Sequence, residues 1–173
     1  MKRQYVWLLF LTICLCSCLH DDHDISPTGV NLSVGDVVPQ FQLRLCIPDP
    51  LDWRVASVAA DGTSTPCTTI SMADQKGKRV YLLFFNTSCQ DCQRELPRIQ
   101  RMYEEHRADS NYVFMAIARE QARKSIEEYW LQNNITLPYS EQGDRVIYNL
   151  FASEGIPRLY VVDERGVIVE LWD

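Results

Sequence analysis

The chain has 173 residues and a formal net charge of −6, with 46% hydrophobic and 23% charged residues. These globular proportions exclude an intrinsically disordered or collagen-like chain, and one domain is the expectation at this length. The acidic balance argues against a nucleic-acid-binding face, and seven cysteines are many for a reducing cytosol.

Lys2 and Arg3 form a short positive start, and residues 4–15 are mostly apolar. That run falls short of the roughly 20 apolar residues of a spanning helix and has the form of a secretory signal. Leu15-Cys16-Ser17-Cys18 resembles a bacterial lipobox, with an aliphatic residue, a small residue and then the cysteine to be acylated. On this reading residues 1–17 are a lipoprotein signal peptide, Cys18 is the lipidation site, and 18–33 are a polar, acidic tether. The alternative is a plain secretory signal with incidental cysteines. Either way the domain faces an oxidising compartment outside the cytoplasm.

Pro27, Gly29, Gly35 and Pro39 interrupt the entry to the folded part. Alternation predicts a strand over 41–45. Residues 47–78 carry Pro48, Pro50 and Asp61-Gly62 and are expected to form an irregular hairpin or insertion. The six apolar residues at 80–85 predict a strand buried on both faces. Leu96, Ile99, Met102 and Tyr103 predict a helix over 90–107. A second buried strand follows at 112–118, then a helix at 121–133, for which Ser125 and Glu128 offer a later, capping-box start. Val146, Ile147, Leu150 and Phe151 suggest a short third helix over 144–152. Strands at 159–162 and 167–171 flank the turn Asp163-Glu164-Arg165-Gly166. The order is that of an α/β layer fold.

Cys89-Gln90-Asp91-Cys92 falls where the buried strand gives way to the helix. A helix start offers free backbone N–H groups and the positive end of the dipole. Both favour a thiolate, the nucleophile of disulfide exchange. Cys89 is therefore expected to be the attacking thiol and Cys92, one turn inside, the resolving thiol. A zinc half-site and a purely structural disulfide are the alternatives. Zinc needs two further ligands, and Cys46 and Cys67 are not a close pair in sequence.

Several segments then follow in a familiar order. They are Val34-Gly35-Asp36-Val37-Val38-Pro39-Gln40-Phe41, Lys76-Gly77-Lys78, the run from Phe84 to Cys92, Glu95-Leu96-Pro97, Gly155-Ile156-Pro157, and the run from Val162 to Gly166. In these the stretch 34–171 resembles the thioredoxin superfamily, in particular the membrane-anchored TlpA/ResA-like thiol–disulfide oxidoreductases. The resemblance implies a thioredoxin-like domain over 34–173, with a central mixed β-sheet flanked by helices and an N-terminal β extension. It implies a cis Ile156–Pro157 bond against the Cys pair, with the Ile156 backbone pairing with an extended substrate. An ordinary trans turn proline is the alternative. It assigns Glu95 to tuning the cysteines and handling protons, a surface carboxylate being the alternative, while Leu83 occupies the superfamily's other acid position. It implies no bound cofactor and no metal, protein thiol and disulfide substrates, and a membrane electron-relay donor. The location it implies is the bacterial cell envelope, facing the periplasm or exterior, with cytochrome c maturation apoproteins among the candidate substrates. Neutral Gln90 and acidic Asp91 between the cysteines favour a reductase over an oxidase.

Three features depart from that pattern. Ser88 stands where relatives usually carry Trp, the chain stops at Asp173 where relatives continue into a final helix, and Cys46 and Cys67 lie in the segment before the central strand. The missing helix is expected to leave one sheet face undercovered unless a partner or the 47–75 segment fills it. Cys46 and Cys67 are a possible structural disulfide. A peroxiredoxin-like thiol peroxidase is the alternative enzyme. Its cysteine would follow a threonine by three residues, where Asn86 stands here. A non-catalytic binding lipoprotein on the same scaffold is the alternative from another class.

Overall fold

The computed structural model describes residues 30–48 and 65–173. The signal, Cys18 and residues 49–64 of the insertion lie outside the described residues. The elements in chain order are β1 (Gln42–Cys46), β2 (Cys67–Ser71), β3 (Arg79–Phe85), α1 (Gln90–His106), β4 (Tyr112–Ala118), α2 (Arg123–Asn133), β5 (Tyr139–Ser140), β6 (Arg158–Val162) and β7 (Ile168–Trp172). All seven strands form one sheet in the order β2-β1-β5-β4-β3-β6-β7. The ladders β3/β4 and β4/β5 are parallel and the others antiparallel. This is the expected mixed sheet.

β3 lies in the sheet interior between β4 and β6, and its side chains are apolar on both faces, as the unbroken run at 80–85 required. Tyr81, Leu83 and Phe85 face Leu96 and Ile99 of α1 and Ile126 and Trp130 of α2. Val80, Leu82 and Phe84 face the opposite layer, where Val38, Met72, Ile147, Tyr148 and Phe151 pack. Both α-helices thus lie on one face. The other is covered by the entry segment, a 3-10 turn (Met72–Gln75) and the stretch that holds a second 3-10 turn (Tyr148–Leu150).

That last stretch corrects the expected helix over 144–152. The inward positions are apolar as anticipated, but only residues 148–150 coil. Upstream, the Asp144 carboxylate accepts from Val146 N at 3.0 Å and holds the chain in a bend. Arg145 Nη2 donates to Ser153 O at 2.6 Å, tying the two ends together. Ile147 and Phe151 are buried, Leu150 is partly buried and Val146 is exposed, so the apolar spacing reported neither a helix nor uniform burial. α2 also begins later than residue 121, with Ala122 as its cap and Ser125 inside the helix rather than at its start. Gln121 is held outside by an antiparallel bridge to Gln142. β5 is too short to leave a periodic signature, yet it joins β4 to β1 through Ala116, Ile117 and Cys46.

The 47–78 segment starts and ends more regularly than expected. β2 pairs with β1 residue for residue, and Cys46 stands directly opposite Cys67, to which it is disulfide-bonded. Arg123 Nη2 of α2 donates to Thr65 O at 2.6 Å, anchoring the approach to β2. The entry segment is seated before residue 34, since Leu32 N donates to Phe151 O at 2.8 Å. At the β6–β7 turn the Asp163 carboxylate accepts from Val167 N at 2.9 Å, from Arg165 Nε at 2.8 Å and from Arg165 N at 3.0 Å, which holds its pKa below the ordinary carboxylate value. Gly166 completes the turn at φ +87°, a left-handed position suited to glycine.

Trp130 is the largest fully buried side chain among the described residues. Its ring lies 5.0 Å from that of Phe85 and 5.9 Å from that of Tyr139, and its Nε1 donates to Leu137 O at 2.9 Å. Trp130→Ala should cost about 3–5 kcal/mol, read as a lower urea midpoint. A change below about 1 kcal/mol would show that α2 does not anchor this face.

Candidate active site

β3 ends at Phe85, and the polar triplet Asn86-Thr87-Ser88 turns the chain into α1. The triplet closes on itself, because Asn86 Oδ1 accepts from Ser88 N at 2.9 Å and Asn86 O accepts from Cys89 N at 3.1 Å. Cys89 becomes the N-cap residue with extended backbone (φ −82°, ψ 121°), and its carbonyl takes the first helical bond from Gln93 N at 3.0 Å. The Cys89 thiol is partly exposed, while Cys92, one turn on, is completely buried beneath it.

The second wall comes from the loop before β6. The Ile156–Pro157 bond is cis. Gly155, at φ +83°, reverses the chain just before it. The Cys89 thiol donates to Ile156 O, with sulfur and oxygen 3.6 Å apart. The loop and the cysteine pair, 67 residues apart in sequence, therefore meet as the resemblance implied.

A cavity of about 410 Å³ opens beside this contact. Leu83, Ile99, Leu159 and Trp172 form its apolar lining, and Ile156 and Pro157 its rim. Glu95 lies along it, half exposed and 3.5 Å from Arg98, whose guanidinium stacks 4.3 Å over the Trp172 ring. Leu83 is buried in this lining, so Glu95 and Asp91 are the carboxylates that α1 presents there. Asp91 is ion-paired with Arg94 one turn along, which offsets the like charge that the sequence placed beside Cys89. Sequence reasoning did not anticipate Arg94, Arg98 or Trp172 as neighbours of the site. The i, i+3 spacing of Arg94 from Asp91 and of Arg98 from Glu95 was the available signal for the two arginines, and Trp172 had none. Among the described residues no cluster of three or more His, Cys, Asp or Glu side chains is arranged to hold a metal ion.

The two thiols differ sharply in environment. Burial pushes the Cys92 thiol up to about 12, with the neighbouring Cys89 thiol adding to the rise. The Asn86 backbone amide and the Arg119 guanidinium oppose the shift without cancelling it. Cys92 is thus a neutral thiol at physiological pH, and its use as a nucleophile requires a proton acceptor.

A partly exposed cysteine at a helix start, a buried second cysteine and a facing cis-proline loop on a mixed sheet define a thioredoxin-like protein. The chain belongs to the AhpC/TSA family, whose sequence pattern matches residues 34–171. It is 24% identical over 138 residues to the thiol-disulfide oxidoreductase ResA of Oceanobacillus iheyensis, covering 80% of this chain and 64% of that protein. The chain therefore spans a little under two thirds of that relative's length. The fold is shared with the thioredoxin domain of a thiol-disulfide oxidoreductase from Bacteroides vulgatus, with TM-score 0.61 and 19% identity, covering 82% of this chain and 89% of that one. It is also shared with Mycobacterium bovis AhpC, with TM-score 0.62 and 18% identity, covering 82% of each chain.

The raised Cys92 value has a stability consequence. Its folded-state pKa lies above the unfolded value of 9.0, so the proton it keeps contributes stability that is fully present below pH 9 and lost as pH rises toward about 12. The reduced protein should lose unfolding free energy more steeply across that window than Cys92→Ala, which retains every buried tyrosine. Superimposable slopes would contradict the buried, neutral thiol.

Proposed function

We propose that the chain is an extracytoplasmic thiol–disulfide oxidoreductase acting as a protein disulfide reductase through Cys89 and Cys92. The observation that carries this reading is the meeting of the Cys89 thiol with the Ile156 carbonyl at 3.6 Å, directly before the cis Pro157. An extended substrate segment placed along the Ile156 backbone brings its disulfide to Cys89. The Cys89 thiolate attacks one substrate sulfur, forms a mixed disulfide and expels the other as a thiolate. Cys92 passes its proton to Glu95 and attacks the Cys89 sulfur, breaking the mixed disulfide and expelling the second substrate sulfur as a thiolate, and the two substrate thiolates take protons from Glu95 and water. The products are a Cys89–Cys92 disulfide and a substrate dithiol, so two electrons pass from protein to substrate.

Three observations support the finer parts of this proposal. Gln90 is neutral and Asp91 is already paired with Arg94, so neither intervening residue supplies a cation to the Cys89 thiolate. Strong oxidants depend on such stabilisation of the reduced form. The Cys46–Cys67 disulfide suits an oxidising compartment. The lipobox at Leu15–Cys18 and the polar stretch after it supply an anchor and a tether. A reductase in that location needs electrons from a membrane relay, which we assign as its donor.

The decisive assays use insulin and a trap. The protein should accelerate insulin reduction by dithiothreitol, and Cys89→Ser should abolish the acceleration. Cys92→Ser should accumulate mixed disulfides through Cys89 with envelope proteins. Peroxide consumption in place of insulin reduction would move the assignment to a thiol peroxidase. Absence of both activities would leave a binding lipoprotein.

A further inference from the structure

The walls of the thiol site come from distant parts of the chain, and buried polar contacts outside the site hold both. On the cysteine side, Thr87 N donates to Gln121 Oε1 at 2.9 Å, and Gln121 Nε2 donates to Thr87 Oγ1. Gln93 Nε2 donates to Thr87 O at 2.7 Å. Thr87 and Gln121 are both buried, so the two bonds between them are shielded from water. Gln121 is delivered by an unusual backbone. Glu120 adopts a left-handed conformation at φ 55°, its N–H donates to Asp144 O, and Gln121 N donates to Gln142 O at 2.8 Å. A strained position of this kind persists where its surroundings over-determine it.

On the proline side, the buried Tyr148 hydroxyl donates to Gly155 O at 2.6 Å, one residue before Ile156. The Arg119 and Arg145 guanidinium groups each lie 5.1 Å from the Tyr148 ring. Arg119 O accepts from Asn86 Nδ2 at 2.9 Å in the cysteine turn. The cysteine turn, the 119–121 loop, the 142–148 stretch and the proline loop thus form a closed circuit of contacts around the sulfur atoms.

We infer that Gln121 and Tyr148 are positioning residues for the dithiol, Gln121 by fixing the turn that presents Cys89 and Tyr148 by fixing the Ile156 carbonyl against it. Neither touches the reacting atoms. Both act on the reduced state, in which the Cys89 thiol donates to Ile156 O. Loosening either wall weakens that contact, which a disulfide cannot make, and so tilts the pair toward its oxidised form. The role in turnover rests on the oxidoreductase reading, but the tilt of the Cys89–Cys92 equilibrium does not.

The test is therefore an equilibration of the full chain with glutathione buffers, followed by alkylation and mass-spectrometric mapping of Cys89 and Cys92. Tyr148→Phe removes one hydroxyl and keeps the ring. Gln121→Ala removes the clamp, and Thr87→Val, a milder change, removes only its hydroxyl half. Each should shift the equilibrium constant toward the disulfide by about threefold to tenfold, the effect of one hydrogen bond. Gln100→Ala is the control for loss of a buried amide, because Gln100 bonds Thr136 away from the sulfur atoms. It should lower the melting temperature and leave the constant within about twofold. A constant within about twofold of wild type for Tyr148→Phe, or for both Gln121→Ala and Thr87→Val, would overturn the inference. So would an equal shift in Gln100→Ala. Failure of the wild type to reduce insulin would instead count against the proposed function and leave this measurement intact.

Discussion

The structure depends on the junction at which β3 becomes α1. β3 is apolar on both faces and is paired on both edges, with β4 and with β6, so its end is fixed in space by neighbours on either side. The helix that follows must bury Cys92, Leu96 and Ile99 against the same sheet. Between these two fixed bodies only three polar residues remain, and they leave Cys89 at the helix cap. The contrast between a presented thiol and a buried one therefore follows from the sheet-to-helix geometry. Burial disfavours charge on the second sulfur.

The rest of the fold serves this junction from a distance. The β6 ladder carries the cis-proline loop to the C-terminal end of β3, where it meets Cys89. The β1–β2 hairpin extends the sheet on the far side, stapled by Cys46–Cys67 and latched to α2 by Arg123. Within that staple Cys46 is buried and faces the Glu141 carboxylate, which pairs with Arg44 at 3.7 Å.

Much of the architecture was legible because it rests on strong local signals. The buried runs at 80–85 and 112–118 gave the central strands, and the spacing of Leu96, Ile99 and Met102 gave α1. The site was legible where chemistry is concentrated in short motifs, at Cys89-Gln90-Asp91-Cys92 and Gly155-Ile156-Pro157. What remained hidden depends on tertiary contacts. The 144–152 stretch has the apolar spacing of a helix, but Asp144 and Arg145 bond across its ends and hold it in turns. β5 is a two-residue bridge that no periodicity can announce. Gln121 has nothing in its neighbourhood to mark it, since its partner Thr87 lies 34 residues away. The pairing of Asp91 with Arg94 was open to inspection by helical spacing, and it weakens the electrostatic effect first ascribed to Asp91.

The central claim is the division of labour between the two sulfur atoms, and differential alkylation of the reduced protein tests it most directly. Pulsed iodoacetamide labelling at neutral pH, quenched and mapped by mass spectrometry, reports the rate at each cysteine separately. Partial exposure at the helix cap for Cys89, against full burial and a pKa of about 12 for Cys92, predicts labelling of Cys89 at least tenfold faster. Equal rates, or faster labelling of Cys92, would contradict the assignment of attacking and resolving thiols and the mechanism built on it.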